Sequence, residues 1–339
     1  MAVTHAHLKR DGEMGDFLFR FKKQKGFDTE LFDRYRQAHY SASAIYELPF
    51  TVAESLIQKH NIPRDVFLKK IEHKMTSVEK LRLQTSNAKA RARDARLDFD
   101  LSRAPLTKLA LYIMSLSMSE RIERGIELHE AMSGSAARSI ASTSFKLGRV
   151  ATVLDRSRSS IGSRQKQNRP LAVALAASYL LRKAATEYQS FWTVPLDQCN
   201  ELSIDAQEIL VTSAGQTSLA DPLIDALQWQ PDVLIIVSDG FENSPPMAAN
   251  QVVGTFRNRL QSPDQKMEII HMNPVFDVDH FAPRPLGDSM ATVGLRDAED
   301  IATMMGFARF ARGSTPIAEL EAFLEMRMHS MLGAAEGME

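Results

Sequence analysis

Val150-Ala-Thr-Val-Leu154 runs directly into Asp155-Arg-Ser-Arg-Ser159, and Val233-Leu-Ile-Ile-Val237 runs directly into Ser238-Asp239-Gly240. Each is an apolar run of strand length that ends on oxygen-bearing residues. Uninterrupted apolar strands are what a sheet covered on both faces requires. Further strand candidates lie at 190–194, 208–211, 267–271 and 291–293. Helix-like segments alternate with them at 170–185, 218–227, 247–260, 298–311 and 317–332. Such alternation predicts an α/β fold with a doubly wound, mostly parallel sheet. Ligands of such sheets bind outside the carboxyl ends of the strands, so the residues just after each strand are the first place to look for a site.

Ahead of this region the periodicity is helical. Asp28 is a plausible N-cap, Pro49, Pro63 and Pro105 open helices, Thr76-Ser-Val-Glu79 has the form of a capping box, and Ser119 precedes a further helix. The series shows no clean internal repeat. Charge divides the chain at about the same place. Residues 1–150 hold 26 basic and 18 acidic residues, and residues 151–339 hold 15 and 24, so the net charge of −1 hides two halves of opposite sign. We therefore expect a basic, all-α domain over 1–147 and an α/β domain over 148–339. The lone cysteine, Cys199, excludes an internal disulfide and an all-cysteine zinc site. The first residues lack the apolar core of a secretory signal, and no apolar run reaches the roughly 20 residues that cross a bilayer. A cytoplasmic protein without a membrane segment is the expectation.

The strand ends carry the chemistry. Asp155, Ser157 and Ser159 follow one strand candidate, Thr217 follows another across Gly215-Gln216, and Asp239 follows a third. All five donors are hard oxygens, a set that suits Mg²⁺ or Mn²⁺ better than zinc or copper. With few direct carboxylates, an ion held there would stay under-neutralised and attract an outside acid. D-x-S-x-S after the first strand, a distant Thr before a helix and a distant Asp-Gly after an apolar strand resemble the metal-ion-dependent adhesion site of a von Willebrand factor A domain. The resemblance covers about 148–332. It implies that the serines and Thr217 contact the ion directly or through water, that the aspartates often act through water, and that a ligand carboxylate fills the open position. The chain departs from the family at Arg156, Arg158 and Ser160, where small residues and Met are common. The two guanidiniums would repel a metal or recruit an acidic ligand.

Helices running into such a domain are also similar to the Ro autoantigen (TROVE) family, in which a helical ring binds misfolded and small structured RNA. Here the helical part is too short for a complete ring. A-domain proteins that work beside AAA+ ATPases combine helices with the domain in a similar order, which implies such an ATPase as a partner. For RNA the candidate surface is a basic stretch that includes Lys80, Arg82, Lys89, Arg91, Arg93 and Arg96. Its bland reading is a solvated helix face. Enzyme signatures are missing: there is no G-x-x-x-x-G-K-[ST] loop, no G-x-S-x-G elbow, and no evident base for the serines. The expected function is therefore non-enzymatic: a protein partner's acidic side chain held through the metal, with Ro-like RNA binding as the alternative. Glu242 and Asn243 either line the rim of this crevice or cap the helix near Pro245. His271-Met-Asn273-Pro274 follows the fifth strand candidate and Asp277-Val-Asp279-His280 lies just beyond; two acids and a histidine there form a second metal site, or the segment is a polar loop over the strand ends.

Overall fold

A strand buried on both faces must lie inside a sheet, and residues 150–154 and 233–237 do so as direct neighbours. In the structure, a computed structural model, five strands form one sheet: β1 (Leu147–Leu154), β2 (Ala185–Trp192), β3 (Val233–Val237), β4 (Glu268–Asn273) and β5 (Ala291–Gly294). Their order is β2-β1-β3-β4-β5, and every pairing is parallel. Leu154 stands opposite Trp192 on one side and Val237 on the other, so β1 and β3 end level. The structure describes residues 13–19, 21–76, 78–83, 100–141, 145–163, 167–196, 199–200, 202–262, 267–275, 282–311, 321 and 325.

The chain divides into two compact units, Met1–Phe99 and Asp100–Glu339. The first contains α1 (Glu13–Phe19), α2 (Glu30–Ala38), α3 (Phe50–Glu54), α4 (Arg64–Ile71) and a helical stretch over 78–83. Ile45, Leu48, Phe50, Phe67, Leu68 and Ile71 form its core. Phe17, Phe21, Phe27, Phe32 and Tyr35 make an aromatic cluster joined to this core through Tyr35, with Phe17 stacked on Phe32 at 4.2 Å. Thr29, not Asp28, occupies the N-cap position of α2. Thr76 and Glu79 exchange the hydrogen bonds of the expected capping box.

In the second unit, α5 (Leu106–Ser115), α6 (Met118–Glu123) and α7 (Gly125–Ala141) precede the sheet. Ser117 rather than Ser119 caps α6, in a capping box with Glu120. α8 (Arg169–Ala184) crosses from β1 to β2. α9 (Ala220–Gln228), α10 (Ala248–Thr255) and α11 (Ile301–Ala311) follow the later turns of the chain. Ala151, Val153, Leu234, Ile236 and Ile269 pack one sheet face against Leu223 and Ala226 of α9 and Ala249 and Val253 of α10. Thr152, which alternates to the opposite face, bonds Tyr188, and the Tyr188 hydroxyl bonds Ser178 of α8. Helices thus cover both faces, and the fold is the doubly wound α/β type expected. α5 and α7 lie against α8, burying Leu109, Ile113, Leu128 and Met132. The compact units therefore divide at 99/100, whereas the charge step lies near 147: these helices need the apolar outer side of α8 for their core.

One expected strand is absent. Residues 206–210 form a short 3₁₀ turn (Ala206–Leu210). Buried Glu208 accepts hydrogen bonds from Ser178, Arg182 and Ser190. The guanidinium of Arg121 takes the carbonyls of Ile209 and Val211. With its carbonyls and its buried carboxylate engaged in this way, the segment does not join the ladder.

Candidate functional site

β2 lies beyond β1 and β4 lies beyond β3, so the chain leaves these two central strands toward opposite edges of the sheet. A crevice opens at such a switch point, outside the carboxyl ends of the strands. Asp155 follows β1, and its amide extends the ladder by donating to the carbonyl of Val237 (3.0 Å). Asp239 follows β3. Four of the five oxygen-bearing residues are linked by hydrogen bonds. The Ser157 amide donates to Asp155 Oδ1 (2.8 Å), Ser157 Oγ lies 2.9 Å from Ser159 Oγ, and Thr217 Oγ1 donates to Ser157 Oγ at 2.9 Å. Asp239 stands close enough to Asp155 for their charges to repel. Asp155, Ser157, Thr217 and Asp239 are buried, and Ser159 is exposed. Residues 155 to 239 are thus drawn to one spot from three separate segments.

Burial pushes the Asp155 carboxyl up to about 6. The hydrogen bonds from Ser157 and Ser238 pull it down, and the Asp239 charge adds to the rise. Two close carboxylates in a buried crevice favour an added cation. The hydroxyl spacing suits a small one. Cis oxygens around an octahedral Mg²⁺, each at about 2.1 Å, lie roughly 3.0 Å apart, close to the separation of these hydroxyls. Asp155, Ser157, Ser159, Thr217 and Asp239 would hold the ion, which would supply a positive centre for an incoming oxygen. Among the described residues, no group of three or more carboxylate, imidazole or thiol side chains is gathered as a metal site. This donor set is different in kind, rich in hydroxyls.

Several supporting contacts appear only in the folded chain. Ser238 donates to Asp155 Oδ2 (3.3 Å). Asn273, in β4, donates from its side-chain amide to the carbonyls of Asp239 and Arg284, both at 3.0 Å. Both residues stand out in the sequence as polar groups at strand ends, but these contacts are not readable there, because the partners are distant in the chain. His271 also lies within β4, fully buried, between Thr292 and the Ser238 carbonyl. It is a core residue and not part of a loop. Asp277, Asp279 and His280 lie outside the described residues. Glu242 takes the capping role. Its carboxylate accepts from Leu219 N (3.3 Å) and Ala249 N (2.9 Å), at the starts of α9 and α10. The Ser244 amide also donates to the Thr217 carbonyl (3.2 Å). The loop after β3 therefore fixes the loop that carries Thr217.

Arg156 does not act as a free cation beside the site. Buried, it donates to the carbonyls of Thr212 (2.8 Å) and Pro195 (2.9 Å) and ties together the loops that flank the crevice. Arg158 is exposed. On the basic stretch, Lys80 pairs with Glu72 at 3.3 Å and Arg82 is exposed. Lys89, Arg91, Arg93 and Arg96 lie outside the described residues.

No family model matches the sequence, and no curated protein matches it. Among solved structures, the crystal structure of the Deinococcus radiodurans RO (RSR) protein aligns with 93% of this chain and 70% of its own, at 15% identity and a TM-score of 0.46.

Proposed function

We propose that this chain is a non-enzymatic binding protein whose switch-point crevice holds Mg²⁺ (or Mn²⁺) and, through it, an acidic side chain of a protein partner. The observation that carries the reading is the convergence of Asp155, Ser157, Ser159 and Thr217 into one hydrogen-bonded group beside Asp239. With the two aspartates acting through water, the direct ligands of a divalent ion would be neutral hydroxyls, and an outside carboxylate would supply the missing direct negative charge. Ser157 Oγ is bonded to hydroxyls and not to an imidazole, which supports binding over nucleophilic catalysis. Among the described residues no helix is long and apolar enough to cross a membrane.

A second reading, RNA binding by the first unit, is favoured by one observation: residues 1–99 carry 19 basic against 13 acidic residues. Phosphate contacts would make such binding strongly salt-dependent. Capture of partners from a native extract by the full chain separates the two, with protein and RNA assayed together. The metal reading expects protein capture that chelator or Asp155→Ala abolishes. The RNA reading expects RNA capture that survives chelator and falls with salt and with charge reversal at Lys89, Arg91 and Arg93. Protein capture indifferent to chelator overturns the first reading.

A further inference from the structure

We propose that the lip of the crevice selects a protein segment bearing two acidic side chains, one directed at the metal and the second at Arg284. This rests on the metal-dependent reading and goes on to name what the partner must carry. Arg284 is remote in sequence, yet the backbone fixes it at this spot. Asn273 bonds the carbonyls of Asp239 and Arg284 together. Gly240, at φ +77°, lies so close that a Cβ there would come within 2.6 Å of the Arg284 carbonyl. The guanidinium of Arg284 stacks on the ring of Phe241 at 4.0 Å, and Phe241 is 50% exposed. Stacking orients the guanidinium and leaves its N–H edge free to meet a carboxylate. Arg158 is exposed on the segment after β1, where its amide is held by the Gly215 carbonyl (3.2 Å). Among the described residues neither guanidinium sits in a salt bridge.

Charge makes the occupant specific. The second unit holds 22 basic against 29 acidic residues, so a lip with two cations that make no salt bridge among the described residues is a local exception in a unit of net negative charge. It complements a segment with acidic residues confined to the lip. A nucleic acid strand, charged at every nucleotide, would meet the surrounding negative charge along its length, and one face of Phe241 is already taken by Arg284, which disfavours base stacking.

The test is selection of a displayed random-peptide library on the immobilised full chain in Mg²⁺, with elution by chelator. The expected result is peptides in which two acidic residues recur at a preferred spacing. Arg284→Ala should lose the second acid from the selected set and weaken a selected peptide about fivefold, as for an exposed ion pair, while the first acid and the chelator sensitivity persist. Peptides with one conserved acid, or a second acid that survives Arg284→Ala, overturn the inference and leave the metal reading standing. No chelator-eluted peptide, or none lost with Asp155→Ala, overturns both. RNA binding removed by Arg158→Ala with Arg284→Ala overturns the inference in favour of nucleic acid.

Discussion

Thr217 tests the site at the level of single atoms. Its hydroxyl is buried and donates to Ser157. Thr217→Val keeps the shape and removes one oxygen, so Mg²⁺ affinity, read by isothermal titration calorimetry, should fall at least about tenfold with little change in fold by circular dichroism. Unchanged affinity would remove Thr217 from the ligand set. His271 sets a separate, pH-dependent prediction. The Ser238 carbonyl can only accept, so Nε2 carries the proton, and Nδ1 accepts from Thr292. Burial holds the imidazole down at about 4, below its ordinary value of 6.5. The unfolded chain therefore takes up a proton first as pH falls. The stability His271 contributes is complete above pH 6.5 and is lost as pH drops through about 4. Urea midpoints measured across that range should decline, and His271→Gln should flatten the decline. A parallel decline in the variant would place the effect elsewhere.

Among the elements, the loops after β1 and β3 matter most, and Glu242 joins the second of them to the segment carrying Thr217. Its carboxylate accepts from the first amides of two helices, which is favourable at their positive ends. Glu242→Ala should destabilise the protein by about 1–2 kcal/mol in chemical denaturation and also weaken Mg²⁺ binding. A stability loss with intact Mg²⁺ binding would separate capping from site support. The strands that hold the site were legible because β3 is a continuous apolar run and β1 ends in a mostly apolar one, Val150–Leu154. β2 was mostly missed: it starts at Ala185, straight after α8, and as an edge strand it has no fully buried residue and carries polar Thr186, Glu187, Gln189 and Ser190. Residues 208–211 misled in the other direction. Their apolar pattern reads as a strand, but Glu208 and Arg121 claim the segment through contacts between distant parts of the chain. Asp155 and Asp239 were readable as residues that follow β1 and β3, whereas Thr217 follows a 3₁₀ turn rather than the strand its sequence context implied. The contacts of Ser238 and Asn273 and the position of Arg284 were not readable, since only the assembled sheet brings them to the crevice.

For the molecule as a whole, the central claim is a coupling between a divalent ion and the folded state. An ion bound only by the native chain raises the unfolding temperature in proportion to the logarithm of its concentration. It also relieves the repulsion between Asp155 and Asp239. The charge imbalance of the two units adds a second whole-molecule expectation. Any RNA bound by residues 1–99 should dissociate steeply with salt and ignore chelator, whereas a protein partner at the crevice should do the reverse. The most direct measurement is calorimetric titration of Mg²⁺ into the full chain and into Asp155→Ala. The account predicts saturable binding of one ion per wild-type chain and no binding to the variant. An absence of binding to the wild-type chain, or equal binding by both, would contradict it.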